Sequence, residues 1–90
     1  MPSYLIETYL ARGQAAERTA RERRARSAAE ELTRGATRVR FDRSIHIPED
    51  EICFYVYDAP SARHAADAAK RAGLDPFRIV EAISSGKERR

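Results

Sequence analysis

Thr37–Asp58, TRVRFDRSIHIPEDEICFYVYD, is the stretch whose reading decides the fold. It reads as two β-strands joined by a tight polar turn at Pro48-Glu49-Asp50-Glu51. In the first strand Val39, Phe41, Ile45 and Ile47 fall on one face, and Arg38, Arg40, Asp42, Ser44 and His46 on the other. In the second strand Ile52, Phe54 and Val56 share a face, opposite Cys53, Tyr55 and Tyr57. Successive strand side chains point to opposite faces, so this alternation argues for half-buried strands. A turn centred on Glu49-Asp50 sets Ile47 opposite Ile52, Ile45 opposite Phe54, His46 opposite Cys53, Ser44 opposite Tyr55 and Asp42 opposite Tyr57. A slip of one residue would throw the apolar set to the wrong face, so the register is well specified. Arg43 is the exception on the apolar face. It falls opposite Val56 and is expected near an edge, its stem on apolar surface and its head in water.

Upstream, Ser3 to Leu10 is a strand with apolar bulk on both faces: Tyr4, Ile6, Thr8 and Leu10 on one, Leu5, Glu7 and Tyr9 on the other. That is the pattern of a central strand. A helix is expected over residues 14–34, closed by Gly35 in the left-handed position. Its stripe is Ala25, Ala28, Ala29 and Leu32. Extended backwards, the stripe meets Arg18, Arg21 and Glu22, so the docked part is 25–32 and the early part projects, leans on a partner or bends. Downstream, Ser61 suits the N-cap of a second helix, Ala62 to Ala72, with Gly73 closing it. Its expected stripe is Ala62, Ala65, Ala66, Ala69 and Ala72. Phe77 to Ile83 is the last strand, with Phe77, Ile79 and Ile83 on one face and Val80 and Ala82 on the other. Residues 84–90 read as a frayed polar tail.

The order β-α-β-β-α-β is the split βαβ motif. Right-handed crossovers then put the first and third strands in the middle of a four-stranded antiparallel sheet, with both helices on one face. This is the ferredoxin-like sandwich of the α+β class, a single domain over residues 1–83. Its uncovered face is expected to carry Leu5, Tyr9, Tyr55, Tyr57, Val80 and Ala82. A patch of that kind marks an interface, and a homodimer or a partner laid across the sheet is the simplest inference.

The whole chain sets bounds on this. Ninety residues make one domain with a modest core. One cysteine excludes an internal disulfide and suits a reducing cytoplasm. No apolar run is long enough to span a bilayer. The net charge of +3 rests almost wholly on arginine, the lysines being Lys70 and Lys87. Arginine and alanine at the expense of lysine fits a GC-rich genome better than a nucleic-acid surface, because acids are interspersed with the bases.

The phrases MPSYLIETYL, AAEELTRGATRVRFDRSIHIPEDEICFYVYDAPSA and RAGLDPFRIVEAI resemble a family of small bacterial proteins of unknown function. The family's name is borrowed from a nickel-binding member. The resemblance covers about residues 2–83 and rests on the strand–turn PEDE.CF and the helix entry APSA. It implies a ferredoxin-like fold, often dimeric, with no established reaction, and nickel as the first metal to consider. Nickel in such a scaffold would call on histidine and carboxylate. The first strand ends Thr8-Tyr9-Leu10, without histidine.

Among residues that carry chemistry, His46 and Cys53 are the metal candidates, placed side by side near the turn. Imidazole with thiolate suits nickel, zinc or copper, and Glu49, Asp50 and Glu51 are at hand as oxygen donors. Two ligands match no metal spacing motif. His64, near the start of the second helix, reads as a solvated surface residue. Glu7 and Glu81 are general-base candidates, or ion-pair partners of Arg40, Arg43 or Arg78. Glu7, Tyr9, Tyr55 and Tyr57, with Asp42 and Ser44, are the residues expected to line an interface or a small-molecule cavity between two sheets. A ferredoxin-like sheet can also stack bases on exposed aromatics, but no RNA-recognition signature is present. No nucleophile elbow, phosphate-cradling loop or paired-carboxylate motif occurs. The sequence therefore points to a cytoplasmic, dimeric, non-catalytic binding module, led by a transition metal, with the open sheet face as the alternative site.

Overall fold

The computed structural model describes residues 1–83. The expected tail, residues 84–90, lies outside the described residues. The elements are β1 (Ser3–Tyr9), α1 (Arg18–Arg34), β2 (Arg40–Ile47), β3 (Ile52–Asp58), α2 (Ala62–Arg71) and β4 (Pro76–Ala82). The four strands form one sheet in the order β2-β3-β1-β4, every neighbour antiparallel. This is the ferredoxin-like α+β sandwich, with β1 and β3 central.

The hairpin register is the expected one from the turn outward. Ile47 faces Ile52, His46 faces Cys53, Ile45 faces Phe54 and Arg43 faces Val56. Beyond that a bulge at Asp42 intervenes, and Phe41, not Asp42, stands opposite Tyr57. The extra residue swings Phe41 to the helix side, where it meets Tyr57 edge-on at 5.6 Å between ring centroids.

The two sheet faces are also reversed along β3. Cys53, Tyr55 and Tyr57 lie under the helices, all fully buried, while Ile52, Phe54 and Val56 are on the open side with Leu5, Glu7 and Tyr9. The reason is volume. The fully buried residues of the helices offer only methyl groups, Ala25, Ala28 and Ala29 from α1 and Ala65, Ala68 and Ala69 from α2, with Leu32 partly buried beside them. Long side chains rising from the sheet fill the gap: Tyr4, Ile6, Leu10, Phe41, Tyr55 and Tyr57. The phenol of Tyr57 satisfies itself there by donating to the Ala25 carbonyl at 2.8 Å. Two expected core residues of the last strand lie outside it. A bulge at Phe77 leaves that ring exposed, and Ile83 is beyond the strand end and exposed. The buried stripe of α2 is also turned from the expected one. It contains Ala68, while Ala62 faces solvent.

The first helix begins later than its composition suggests. Arg12–Glu17 is a 3-10 segment with no buried residue, and α1 proper starts at Arg18. The change of pitch lies about two turns ahead of Ala25, the first buried residue of α1. Docking by residues 25–32 is as expected.

Both helices end in the same hydrogen-bond pattern. In α2 the Leu74 amide donates to the Ala69 carbonyl and the Gly73 amide to Lys70, with Gly73 at φ 72°. In α1 the Thr37 amide donates to Leu32 and the Ala36 amide to Thr33, with Ala36 at φ 75°. Gly35 was the expected left-handed residue, yet it sits at φ −87°. The glycine is one position early, and an alanine carries the strained angle. Ala36→Gly is therefore expected to stabilise the protein by about 1 kcal/mol. The gain is the steric relief less the extra chain entropy of glycine. Urea unfolding would show it as a raised midpoint at unchanged slope.

Candidate functional site

The open face of the sheet is built from alternate residues of all four strands. Register places Leu5 between Val56 and Val80, and Glu7 between Phe54 and Arg78. Tyr9 stands opposite Ile52, which stands opposite Ile47, and Phe54 stands opposite Ile45. No helix among the described residues covers these side chains. Tyr9 is 56% exposed, Ile45 38% and Ile47 36%, with Leu5, Ile52, Phe54 and Val80 half-buried only by one another. The polar residues on the face are few. Glu7 stands near its middle with Arg78 opposite it on the edge strand β4, and Arg43 lies at the β2 edge, where its guanidinium pairs with Asp42 at 2.6 Å. Arg43 is at the edge expected for it. One end is closed by Asp58, which accepts from Ser3 at 2.6 Å and pairs with Arg40.

The other end is closed by the turn. Glu51 has φ 56°, and its carbonyl accepts the Leu10 amide at 2.8 Å. Its carboxylate accepts the Arg12 amide at 2.9 Å and the Tyr9 phenol at 3.2 Å. The Arg12 amide holds the Glu51 carboxyl below its ordinary range, and the carboxylate in turn pushes the Tyr9 phenol up. Because the Glu51 value is lowered on folding, its contribution is present above the ordinary glutamate range and is lost as the pH falls through the lowered value.

Of Glu7, Tyr9, Tyr55 and Tyr57, all expected on this face, the structure brings Glu7 and Tyr9 together there. Tyr55 and Tyr57 are not on it. They belong to the core for the volume reason given above, and so cannot stack a base or line a cavity between two sheets. What replaces them is Ile52, Phe54 and Val56. The signal that could have found these was the alanine content of both helices, which demands the larger side chains of β3 beneath them.

His46 and Cys53 are cross-strand neighbours as expected, but on the helix-covered side rather than the open one. Cys53 is fully buried, and burial pushes its thiol up, away from the thiolate a metal would need. Glu49, Asp50 and Glu51 stay at the turn, with Glu51 committed to Tyr9 and Arg12. Among the described residues no three histidine, cysteine or acidic side chains converge on one point. The donor set of one chain thus does not fit nickel or another transition metal.

Other candidates resolve simply. His64 is half-buried rather than fully solvated. Its Nδ1 lies 2.8 Å from the Ser61 hydroxyl, which also accepts the His64 amide as the N-cap of α2. Glu81 shares the side of Tyr4 but is exposed at the β4 edge. Ser44 points to the helix side and donates to Glu22.

One buried polar atom stands out. The Tyr55 hydroxyl is buried without a hydrogen-bond partner, although the Cys53 thiol and the Arg21 guanidinium lie near it. Arg21 is spent instead on the Tyr9 carbonyl at 3.1 Å. Burial pushes the Tyr55 and Tyr57 phenols up, so both stay neutral. The two tyrosines should therefore respond oppositely to loss of the hydroxyl. Tyr55→Phe is expected to stabilise by about 1 kcal/mol, and Tyr57→Phe to destabilise by about the same. Thermal melts of the two variants, run side by side, check the sign.

Comparison with known proteins adds the fold. No family model matches the chain, and no curated protein matches it. The chain is similar in fold to SCO4226 from Streptomyces coelicolor A3(2). The crystal structure of SCO4226 superposes with a TM-score of 0.70, over 93% of this chain and 99% of that one, at 19% sequence identity. At that identity SCO4226 shares the architecture, and the likeness carries nothing about a ligand.

Proposed function

We propose that this chain is a non-catalytic binding module that works as a homodimer, packed through the open face of its sheet. The single observation that carries this is the row Leu5, Ile45, Ile52, Phe54 and Val80, apolar side chains from all four strands with no helix of the described residues over them. Isolated exposed apolar residues are ordinary, whereas a contiguous patch crossing a whole sheet is the mark of an interface. A second copy supplies a matching surface by symmetry, since a two-fold contact uses the same patch twice. Glu7 on the central strand β1 and Arg78 opposite it on the edge strand β4 are of opposite sign and suit such self-pairing. No helix among the described residues is long and apolar enough to cross a membrane. A single buried cysteine with no partner fits a cytoplasmic home.

Nickel, as the family resemblance implies it, draws no support from the placement of His46 and Cys53. Light scattering tests the dimer reading. The wild-type chain is expected at twice its mass, and Phe54→Asp and Ile45→Asp at the mass of one chain with helical and sheet circular dichroism intact. A wild-type monomer at high micromolar concentration would overturn the reading, as would a dimer that ignores both substitutions.

A further inference from the structure

Along the chain the acids are interspersed with the bases, but folding sorts them. The helices α1 and α2 carry nine arginine and lysine side chains against four acids, whereas the other residues of 1–83 carry five against nine. The positive side of the molecule is therefore the helix layer, and the negative side is the sheet with its turns. Such a separation makes a field that acts on a charged partner before contact.

The outward side of the layer holds the charges that are free to act. Ala25, Ala28 and Ala29 turn inward on α1, and Ala65, Ala68 and Ala69 on α2. With about 3.6 residues per turn, Arg23 and Arg34 then lie on the outward side of α1, and Arg63 and Lys70 on that of α2. All four are exposed, and none has an ion-pair partner among the described residues. Two of the four acids are spent, Glu22 accepting from Ser44 and Glu31 pairing with Arg71 at 3.3 Å. Between the helices is a hollow of about 210 Å³, lined by Arg23, Arg24, Ser27 and Arg71 with Glu31 and Ala28. Arg24 is anchored there, its Nε donating to the Ala72 carbonyl at 2.8 Å. A guanidinium held by one N–H keeps its other donors for a second acceptor, and a phosphate matches that fork.

We propose that the helix layer docks on the phosphate backbone of a nucleic-acid duplex, without regard to base sequence. The side chains of the layer select this partner among polyanions. A single strand is held on aromatic platforms, and neither helix has a phenylalanine, tyrosine or tryptophan. A helix lying on an anionic membrane inserts large apolar side chains, and those exposed among the described residues, such as Tyr9, Ile45 and Phe77, are all outside the helices. A protein partner would be anchored on the same kind of residue. Arginine on an open helix surface suits a backbone of regularly spaced phosphates. The proposal stands apart from the dimer reading, since sheet-to-sheet packing leaves both helix layers outward.

The test is the fluorescence anisotropy of a labelled DNA duplex of about 20 base pairs, titrated with the full chain between about 20 and 200 mM salt. With Arg23, Arg34, Arg63 and Lys70 each neutralising one phosphate, the slope of log affinity against log salt is expected at about −4. The variant R23Q/R63Q is expected to bring it to about −2, equally on a duplex of unrelated sequence. Both side chains are exposed, so its circular dichroism is expected to match the wild type. Arg78→Gln, on the edge strand β4, is expected to leave the slope where it was. No binding at about 20 mM salt would overturn the proposal, as would a slope that ignores R23Q/R63Q or falls equally in Arg78→Gln. Tighter binding to the single strand, or preference for phosphatidylglycerol vesicles over the duplex, would overturn it too and give the layer to another polyanion.

Discussion

Ile6→Ala is expected to cost about 3–4 kcal/mol and to lower the melting temperature by roughly 15–25 °C. Ile6 lies at the centre of the central strand β1, with Tyr55 on one side, Ile79 on the other and no exposure to solvent. Part of the cost is lost transfer free energy. The rest depends on whether the surroundings can close the hole. Above the sheet they cannot, because α2 offers Ala65, Ala68 and Ala69, whose methyl groups have no rotamer that reaches further. Beside it, the rings of Tyr55 and Tyr57 are held among the core side chains. A domain of this size has a total stability of only about 5–10 kcal/mol, so the loss would be a large part of the whole. Calorimetry of the purified variant measures it. A drop of a few degrees would mean that the alanine layer collapses onto the sheet after all.

The converse substitution, Ala68→Leu, is expected to destabilise by about 2–3 kcal/mol despite adding apolar volume. Ala68 is fully buried where α2 lies against the sheet. Three extra carbons there must either push the helix off β1 or force Leu and its neighbours out of their rotamers. Ala62→Leu, on the exposed start of the same helix, provides the control and should stay within about 0.5 kcal/mol. Urea unfolding of the pair separates packing from helix propensity, since leucine and alanine differ little in the latter. Equal effects at the two positions would remove the argument that the alanine spacing sets the height of the helix above the sheet.

Much of the architecture could be read from the residues. The turn at residues 48–51, the order of the elements, the central places of β1 and β3 and the pairing of His46 with Cys53 follow from alternation and turn chemistry. The side of the sheet on which β3 presents each residue did not follow, because both of its faces are apolar. Ile52, Phe54 and Val56 outrank Cys53, Tyr55 and Tyr57 in hydrophobicity, yet length decided the matter. Only the tyrosines reach a helix made of alanine. The bulge at Asp42 left no mark in the alternation, since Arg38, Arg40 and Asp42 read as a polar face with or without it. These two features displaced the candidate site. Glu7 and Tyr9 remained where they were expected, whereas Tyr55, Tyr57 and Cys53 went into the core.

The strand order has a consequence for how the molecule is made. β1 is flanked by β3 and by β4, so the earliest of the four strands along the chain has the latest of them as one of its two neighbours. Ser3 stands opposite Ala82. On the ribosome, a nascent chain can form the β2–β3 hairpin and α1 early, but β1 keeps a bare hydrogen-bonding edge until β4 clears the exit tunnel. Closing a loop of nearly the full chain length is slow compared with local zippering, so completion of the sheet is expected to be the late step. Until then an apolar edge is open to other nascent chains, which makes this interval, rather than the finished protein, the point of greatest exposure to aggregation.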